Sequence, residues 1–205
     1  MKDDLLEGNT LFFGFCRDLM GDQIIPVEKL GTRYVVQKGF MNANERAYVV
    51  ATTPGTQVFM DGVLQVASLN AGQTLELVIT DGSHFIESST PVYVLQLSGV
   101  NCEIAGEILP ALDCSGSSSV RFVRSTDEDF YMIIVTKNGN QNFFSINGNT
   151  NLVPPSAFQV VPGSNGEFVS AILPYSFLDV PAGASSVIAN SAGLFQMGFL
   201  NGGLT

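Results

Sequence analysis

Tryptophan is absent from this 205-residue chain, histidine occurs once, and only nine lysines and arginines stand against nineteen aspartates and glutamates. The net charge of −10 repels phosphate backbones and anionic headgroups at long range, which argues against nucleic acid as a partner. No apolar run reaches the roughly 18–20 residues that a membrane-crossing helix requires, so direct membrane insertion is not expected. The opening Met1-Lys-Asp-Asp is too acidic for a secretory leader, so an exported protein with this sequence is expected to be a mature fragment. With one histidine, no Gly-x-Ser-x-Gly elbow and no Cys-x-x-Cys pair, neither a serine-hydrolase triad nor an ordinary four-ligand zinc site has its parts. A long 3.6-residue apolar stripe capped at both ends is missing too, which predicts little helix.

What the chain does have is period-two alternation in short segments rich in Val, Ile, Phe, Tyr and Thr, bounded by Gly, Asn, Asp or Pro. These predict strands at Thr10 to Phe15, Arg33 to Gln37, Ala47 to Thr52, Thr56 to Met60, Val63 to Ala67, Gln73 to Ile79, His84 to Ser88 and Val92 to Leu97. Further strands are predicted at Ser119 to Arg124, Phe130 to Thr136, Phe143 to Ile146, Phe158 to Val161, Phe168 to Leu173, Ser186 to Ala189 and Leu194 to Phe199. Asp61-Gly62 lies between two of them, where a two-residue turn makes a hairpin. Gly21 to Lys29 has the weakest pattern.

The two halves match in order as well as in composition. Thr32-Arg-Tyr-Val-Val parallels Val120-Arg-Phe-Val-Arg, and Tyr48-Val-Val-Ala-Thr-Thr-Pro-Gly parallels Tyr131-Met-Ile-Ile-Val-Thr-Lys-Asn-Gly. Ile86-Glu-Ser-Ser-Thr-Pro-Val-Tyr parallels Ile188-Ala-Asn-Ser-Ala-Gly-Leu-Phe, and Ile24-Ile-Pro leads into the first half as Ile108-Leu-Pro leads into the second. The reading is an all-β fold of two related β-sandwich-like units in tandem, residues 24–112 and 113–205. Residues 1–23 carry a strand from a preceding unit or a donor strand.

Val100-Asn-Cys-Glu-Ile-Ala-Gly-Glu-Ile-Leu-Pro-Ala-Leu-Asp-Cys-Ser-Gly-Ser, preceded by Ser88-Ser-Thr-Pro-Val-Tyr-Val-Leu, resembles the IgGFc-binding protein N-terminal-like domain, as found in large Bacteroidetes surface proteins. Phe158-Gln-Val-Val-Pro-Gly-Ser and Leu194-Phe-Gln-Met-Gly-Phe-Leu-Asn-Gly-Gly extend the likeness. The resemblance implies a β-rich module of a secreted or cell-surface protein, often one of several domains, with an adhesion role and a protein or glycan ligand. The matching residues are turn and core residues, which carry architecture and not the Fc activity in the family's name.

Candidate sites are few. Cys102 and Cys114 flank a Pro-containing segment that a disulfide would close as a small loop, the alternative being two buried thiols; Cys16 is then a buried small hydrophobe. Asp127, Glu128 and Asp129 offer oxygen ligands that suit calcium, the one cofactor considered, although acids between two strands also make an ordinary solvated turn. Asn138-Gly-Asn-Gln-Asn and Asn147-Gly-Asn-Thr-Asn carry amides that suit a sugar, yet Asn-Gly is also a common turn pair. Fifteen phenylalanines, among them Phe143, Phe158, Phe168, Phe195 and Phe199, read as core. Neighbouring residues of a strand face opposite ways, so the pairs Phe12-Phe13 and Phe143-Phe144 mark candidate contacts with another unit or a neighbouring chain. A hydrolase would need Glu76, Glu87 or Glu167 to face a second acid across a cleft. The expectation is therefore a non-enzymatic binding module. The alternative is a structural spacer or assembly subunit joined by strand complementation.

Overall fold

The computed structural model describes residues 22–202 apart from 102 and 114. The strand expected at Thr10 to Phe15, with Phe12 and Phe13, lies outside the described residues, as do Cys16, Cys102 and Cys114 and the bridge proposed for them. The described chain is all-β, with curled antiparallel sheets and only short 3-10 turns in place of helices. It divides between residues 114 and 115 into two compact units.

The first unit holds β1 (Gly31–Gln37), β2 (Phe40–Met41), β3 (Glu45–Ala51), β4 (Thr56–Met60), β5 (Val63–Leu69), β6 (Thr74–Ile79), β7 (Ser83–Asn101) and β8 (Glu103–Ile108). The strands expected separately at His84 to Ser88 and Val92 to Leu97 are one, the 19-residue β7. Its first half pairs with β1 and β4 and its second half with β3 and β8. The sequence suggested a break because Pro91 cannot donate to a ladder. The chain stays extended there because hydroxyls take over where the ladder fails. Between Glu87 and Val92 the register with β1 shifts. Across that gap Ser89 Oγ accepts the Gln57 amide, Thr52 Oγ1 donates to the Pro91 carbonyl at 2.6 Å, and Ser88 Oγ donates to the Thr90 carbonyl at 2.7 Å.

Alternation sets the core of this unit. Tyr34, Val36, Ala47, Val49, Val58, Ile79, Ile86, Val92 and Val94 are wholly buried and cluster together. Each Val or Ile withdrawn from water is worth about 1.5–3 kcal/mol, against about 1 kcal/mol for a hydroxyl bond at the bend. Burial therefore selects the fold, and the hydroxyls decide where the long strand turns. Asp61-Gly62 forms the expected hairpin turn, with φ of 53° and 80° at its two central residues. Tyr34 is locked by its hydroxyl, which donates to Val92 O at 2.6 Å and accepts from Gly31 N at 3.1 Å. Gly31 itself touches the Leu109–Ala111 stretch so closely that an added Cβ would stand 2.5 Å from Ala111 Cβ.

The second unit holds β9 (Ser119–Val123), β10 (Asp129–Lys137), β11 (Phe144–Ile146), β12 (Gln159–Val160), β13 (Phe168–Tyr175), β14 (Ser185–Asn190) and β15 (Phe195–Gly202). One sheet runs β12-β13-β10-β15 and the other β11-β14-β9. Met132, Ile134, Val169, Ala171, Leu173 and Phe195 of the first sheet form one buried cluster with Phe122, Phe144, Ile146 and Ile188 of the second. β14 and β15 are separated by a turn. Asn190, buried at the end of β14, accepts the amides of Ala192 and Gly193 through Oδ1, which turns the chain before β15 begins.

Two predictions follow from the first unit. Gly31→Ala forces Ala111 aside and is expected to cost about 1–3 kcal/mol in chemical denaturation, and Ala111→Gly in the same chain is expected to restore most of it. Glu45 is fully buried, with its carboxylate accepting the Gly39 and Met41 amides at 2.7 and 3.3 Å. Burial pushes this carboxyl above the ordinary 4.5, although the two amides pull it down. The fold therefore holds this proton more tightly than the unfolded chain, giving stability that is present below the unfolded value and lost as pH rises through the raised one. Relative to Glu45→Gln, the parent chain should lose stability as pH rises above the ordinary 4.5 of an unfolded glutamate; a difference that stays constant with pH contradicts this account.

Candidate functional site

The best organised surface on the described chain is one end of the second unit, and a single buried cation builds it. Arg124 follows β9 and is 2% exposed. Nη1 donates to the carbonyls of Tyr175 and Val180, at 3.4 and 3.2 Å, and Nη2 donates to those of Asp127, at 3.1 Å, and Glu128. Its guanidinium also lies 5.4 Å from the Phe130 ring centroid. The planar fork of arginine suits this task because it presents donors in two directions at once, which a lysine ammonium does not do with fixed geometry. Two loops are held as a result, residues 125–128 between β9 and β10 and residues 176–180 after β13.

The second loop is braced internally. Ser176 Oγ donates to Asp179 Oδ2 at 2.6 Å and accepts the Asp179 amide, while the Ser176 carbonyl accepts the Val180 amide at 3.1 Å. Tyr175 anchors its start by donating to the Leu152 carbonyl at 2.8 Å. Burial, with the Asp179 charge nearby, pushes the Tyr175 phenol well above its ordinary range, so it remains a donor. At the tip Phe177 is 53% exposed and Leu178 87% exposed. An apolar tip held rigidly in water is arranged for contact with something else, because ordering it contributes nothing to the core. Asp127, Glu128 and Asp129 of the first loop and Asp179 of the second are exposed.

The acidic turn considered from sequence for calcium, Asp127 to Asp129, lies beside Arg124. Its inward carbonyls already receive Arg124, and Thr126 Oγ1 donates to Glu128 Oε2 at 3.0 Å. Among the described residues no three His, Cys, Asp or Glu side chains are placed together to hold a metal ion. The asparagine-rich turns also spend their amides within the protein. Asn138 Nδ2 donates to the Gly166 carbonyl, Asn147 Oδ1 accepts the Val187 amide, and Asn149 Oδ1 accepts the Asn151 amide.

The consecutive phenylalanines part company. Phe144 is buried, stacking on Phe158 at 5.6 Å and meeting Phe195 edge-on at 5.1 Å. Phe143 closes a 3-10 turn and is 49% exposed, which corrects its assignment to the core. Phe199 is likewise partly exposed and covers Phe122 and Phe130 from outside. The lone histidine begins β7, where its Nδ1 lies 2.6 Å from Asp61 Oδ2. This is the His-Asp half of a triad, but Nε2 faces the Asp81 carboxylate at 3.4 Å, where a nucleophilic hydroxyl would have to stand. Glu76 is ion-paired with Arg46 at 2.7 Å and Glu167 with Lys137 at 3.8 Å, so both face cations.

Sequence reading missed Arg124 as an organiser, and missed the tip it supports. The Ser176-Phe-Leu-Asp179 spacing was the available signal, since Ser or Thr followed three residues later by an acid marks a self-capped turn.

The family model described as IgGFc binding protein matches residues 5–199. The chain belongs to the IgGFc-binding protein family. No curated protein matches it. Among solved structures, an anti-sigma factor domain-containing protein from Clostridium clariflavum aligns at 12% identity over 84% of this chain and 80% of that one, with a TM-score of 0.25. So low a score carries no argument about this member of the IgGFc-binding protein family. No helix among its described residues is long and apolar enough to cross a membrane.

Because Arg124 satisfies four carbonyls at once, Arg124→Met is expected to cost about 2–4 kcal/mol in chemical denaturation. Arg124→Lys is expected to recover less than half of that loss, since an ammonium does not reproduce the fork.

Proposed function

We propose that the protein is a non-enzymatic, extracellular binding module of a larger secreted or cell-surface protein, which engages a protein ligand through the loops joined by Arg124. The observation that carries this reading is the exposed Phe177-Leu178 pair in a loop braced by the Ser176–Asp179 hydrogen bonds and by Arg124, on a chain of a binding-protein family. A protein ligand is favoured over a glycan because the tip is apolar, while the amides suited to a sugar are engaged internally. The acidic turn enters as a built-in part of the loop pair, with Arg124 supplying the positive charge that a calcium ion would otherwise bring.

Two related units in tandem fit this role, since a rigid β scaffold in repeated copies multiplies weak contacts. Relatedness is supported by pairing order: β1-β7-β4 and β6-β3-β7 in the first unit run parallel to β9-β14-β11 and β13-β10-β15 in the second. The second reading, a spacer or assembly subunit joined by strand complementation, requires an open sheet edge; among the described residues β8 pairs on one side only.

Binding to immobilised immunoglobulin Fc fragments, a panel of secreted proteins and mucin O-glycans tests the proposal. A protein ligand should lose at least about tenfold in affinity with Phe177→Ser or Leu178→Ser, as a hot-spot residue does, with the melting temperature unchanged. Binding to glycans alone, or to proteins with no effect of either substitution, overturns it. Calcium at 100 times its dissociation constant would add about 2.7 kcal/mol of stability if a site existed, which is about 5–10 °C for a chain of this size. Scans with calcium and with a chelator are expected to coincide.

A further inference from the structure

Four Asn-Gly pairs occur in the chain, Asn138-Gly139, Asn147-Gly148, Asn165-Gly166 and Asn201-Gly202, all in the second unit. An asparagine before a glycine carries a latent reaction. The next backbone nitrogen lies within reach of the side-chain carbonyl carbon, and glycine has no Cβ to obstruct the approach. Whether the reaction proceeds depends on what holds the asparagine amide and the glycine N–H.

Three of the pairs are held. Asn138 Nδ2 donates to the Gly166 carbonyl at 3.0 Å, its Oδ1 accepts from Gln141 Nε2 at 3.2 Å, and the Gly139 amide donates to Gln141 Oε1 at 2.6 Å. Asn147 Oδ1 accepts the Val187 amide at 2.9 Å, and its Nδ2 donates to Ser186 Oγ at 3.3 Å. Asn201 Oδ1 accepts from Ser125 Oγ at 2.9 Å, and its Nδ2 donates to the Asp129 carbonyl at 3.1 Å.

Asn165 differs. Its side chain makes no hydrogen bond among the described residues, nor does the Gly166 amide, and nothing stands within 4 Å of where a Gly166 Cβ would lie. Asn147 is a matched comparison, since both asparagines are exposed and both pairs form the centre of a two-residue turn. The φ angles are 53° and 77° at Asn165-Gly166 and 51° and 82° at Asn147-Gly148. The Glu167 amide closes the first turn on the Ser164 carbonyl at 2.9 Å, and the Asn149 amide closes the second on the Ile146 carbonyl at 2.8 Å. The side-chain bonds are what distinguish them.

We propose that Asn165 is a site of self-modification, at which the chain loses the side-chain amide as ammonia. The Gly166 nitrogen bonds to Asn165 Cγ, the bond from Cγ to Nδ2 breaks, and the Gly166 N–H proton leaves with the amide as ammonia. Water, the one co-reactant, then opens the five-membered ring at either carbonyl. Opening at Cγ yields aspartate, and opening at the backbone carbonyl yields isoaspartate, in which the chain runs through Cγ. Both products add a carboxylate two residues from Glu167, which pairs with Lys137 at 3.8 Å. Isoaspartate also lengthens the turn whose Gly166 and Glu167 carbonyls hold Asn138, so the tie between the end of β10 and the start of β13 loosens.

The folded chain, held at body temperature and mildly alkaline pH and then followed by peptide mapping, mass spectrometry and isoaspartyl methyltransferase labelling, tests this. Asn165 is expected to give both products and to convert about tenfold faster than Asn147 or more, because two further hydrogen bonds must be released at Asn147. In urea, where the turn contacts are gone, the four pairs are expected to convert at similar rates. Three results overturn the proposal: conversion at Asn138, Asn147 or Asn201 as fast as at Asn165 in the folded chain, aspartate without isoaspartate at this position, or a folded chain that keeps Asn165 intact while the unfolded chain converts it. A ranking that persists in urea assigns the preference to flanking sequence and overturns it too.

Discussion

The first unit depends on one requirement, that a single extended strand changes partners halfway along without leaving its backbone groups unpaired. β7 runs for 19 residues and serves one set of neighbours before Pro91 and another after it. Pairing alone cannot supply this, because the ladder shifts register at the point of change. The Ser88-Ser-Thr90 hydroxyls, with Thr52, Thr53 and Thr56 facing them, carry the polar groups across the gap. The buried side chains on either side of the bend then close over one another, and Tyr34, bonded to the Val92 carbonyl just past the proline, holds the bend against β1.

The second unit has no such long strand among its described residues. Asn190 and Gly193 make a turn between β14 and β15, and Gly193 is packed so that an added Cβ would collide with the Asn140 side chain. The loops at the other end of the unit are held by Arg124. A buried guanidinium is costly to desolvate, and here hydrogen bonds to backbone carbonyls offset that cost. The result is a pair of loops whose backbone is internally satisfied and whose side chains are left to the solvent. That division of labour is what a binding surface on a β scaffold needs.

Most of the fold was legible because alternation is a local property. Thr56 to Met60, the Asp61-Gly62 hairpin and the low helix content could be read directly, since a strand with one buried face writes its period into neighbouring residues. The errors lie where local signals conflict. Pro91 reads as a break although hydroxyls bridge it. Phe143 reads as core because a strand was assumed to start there, whereas the 3-10 turn of Asn140–Phe143 rotates it outward and leaves Phe144 to fill the core. β8 was missed because its burial alternates while its apolar residues do not: Gly106 stands between Ile104 and Ile108 on the half-buried face, and apolar Ala105 is exposed.

The amino-acid order by itself determined the class of fold, the places of most of its strands and the poverty of its reactive side chains, because composition and period survive without knowledge of contacts. Only the tertiary structure decided that Arg124 is an internal strap. Its four acceptors come from two loops about fifty residues apart, and backbone carbonyls leave no mark in a sequence. For the same reason the exposure of Phe177 and Leu178 was invisible, since an apolar residue shows in sequence only that it avoids water and not whether the fold gives it anywhere to hide.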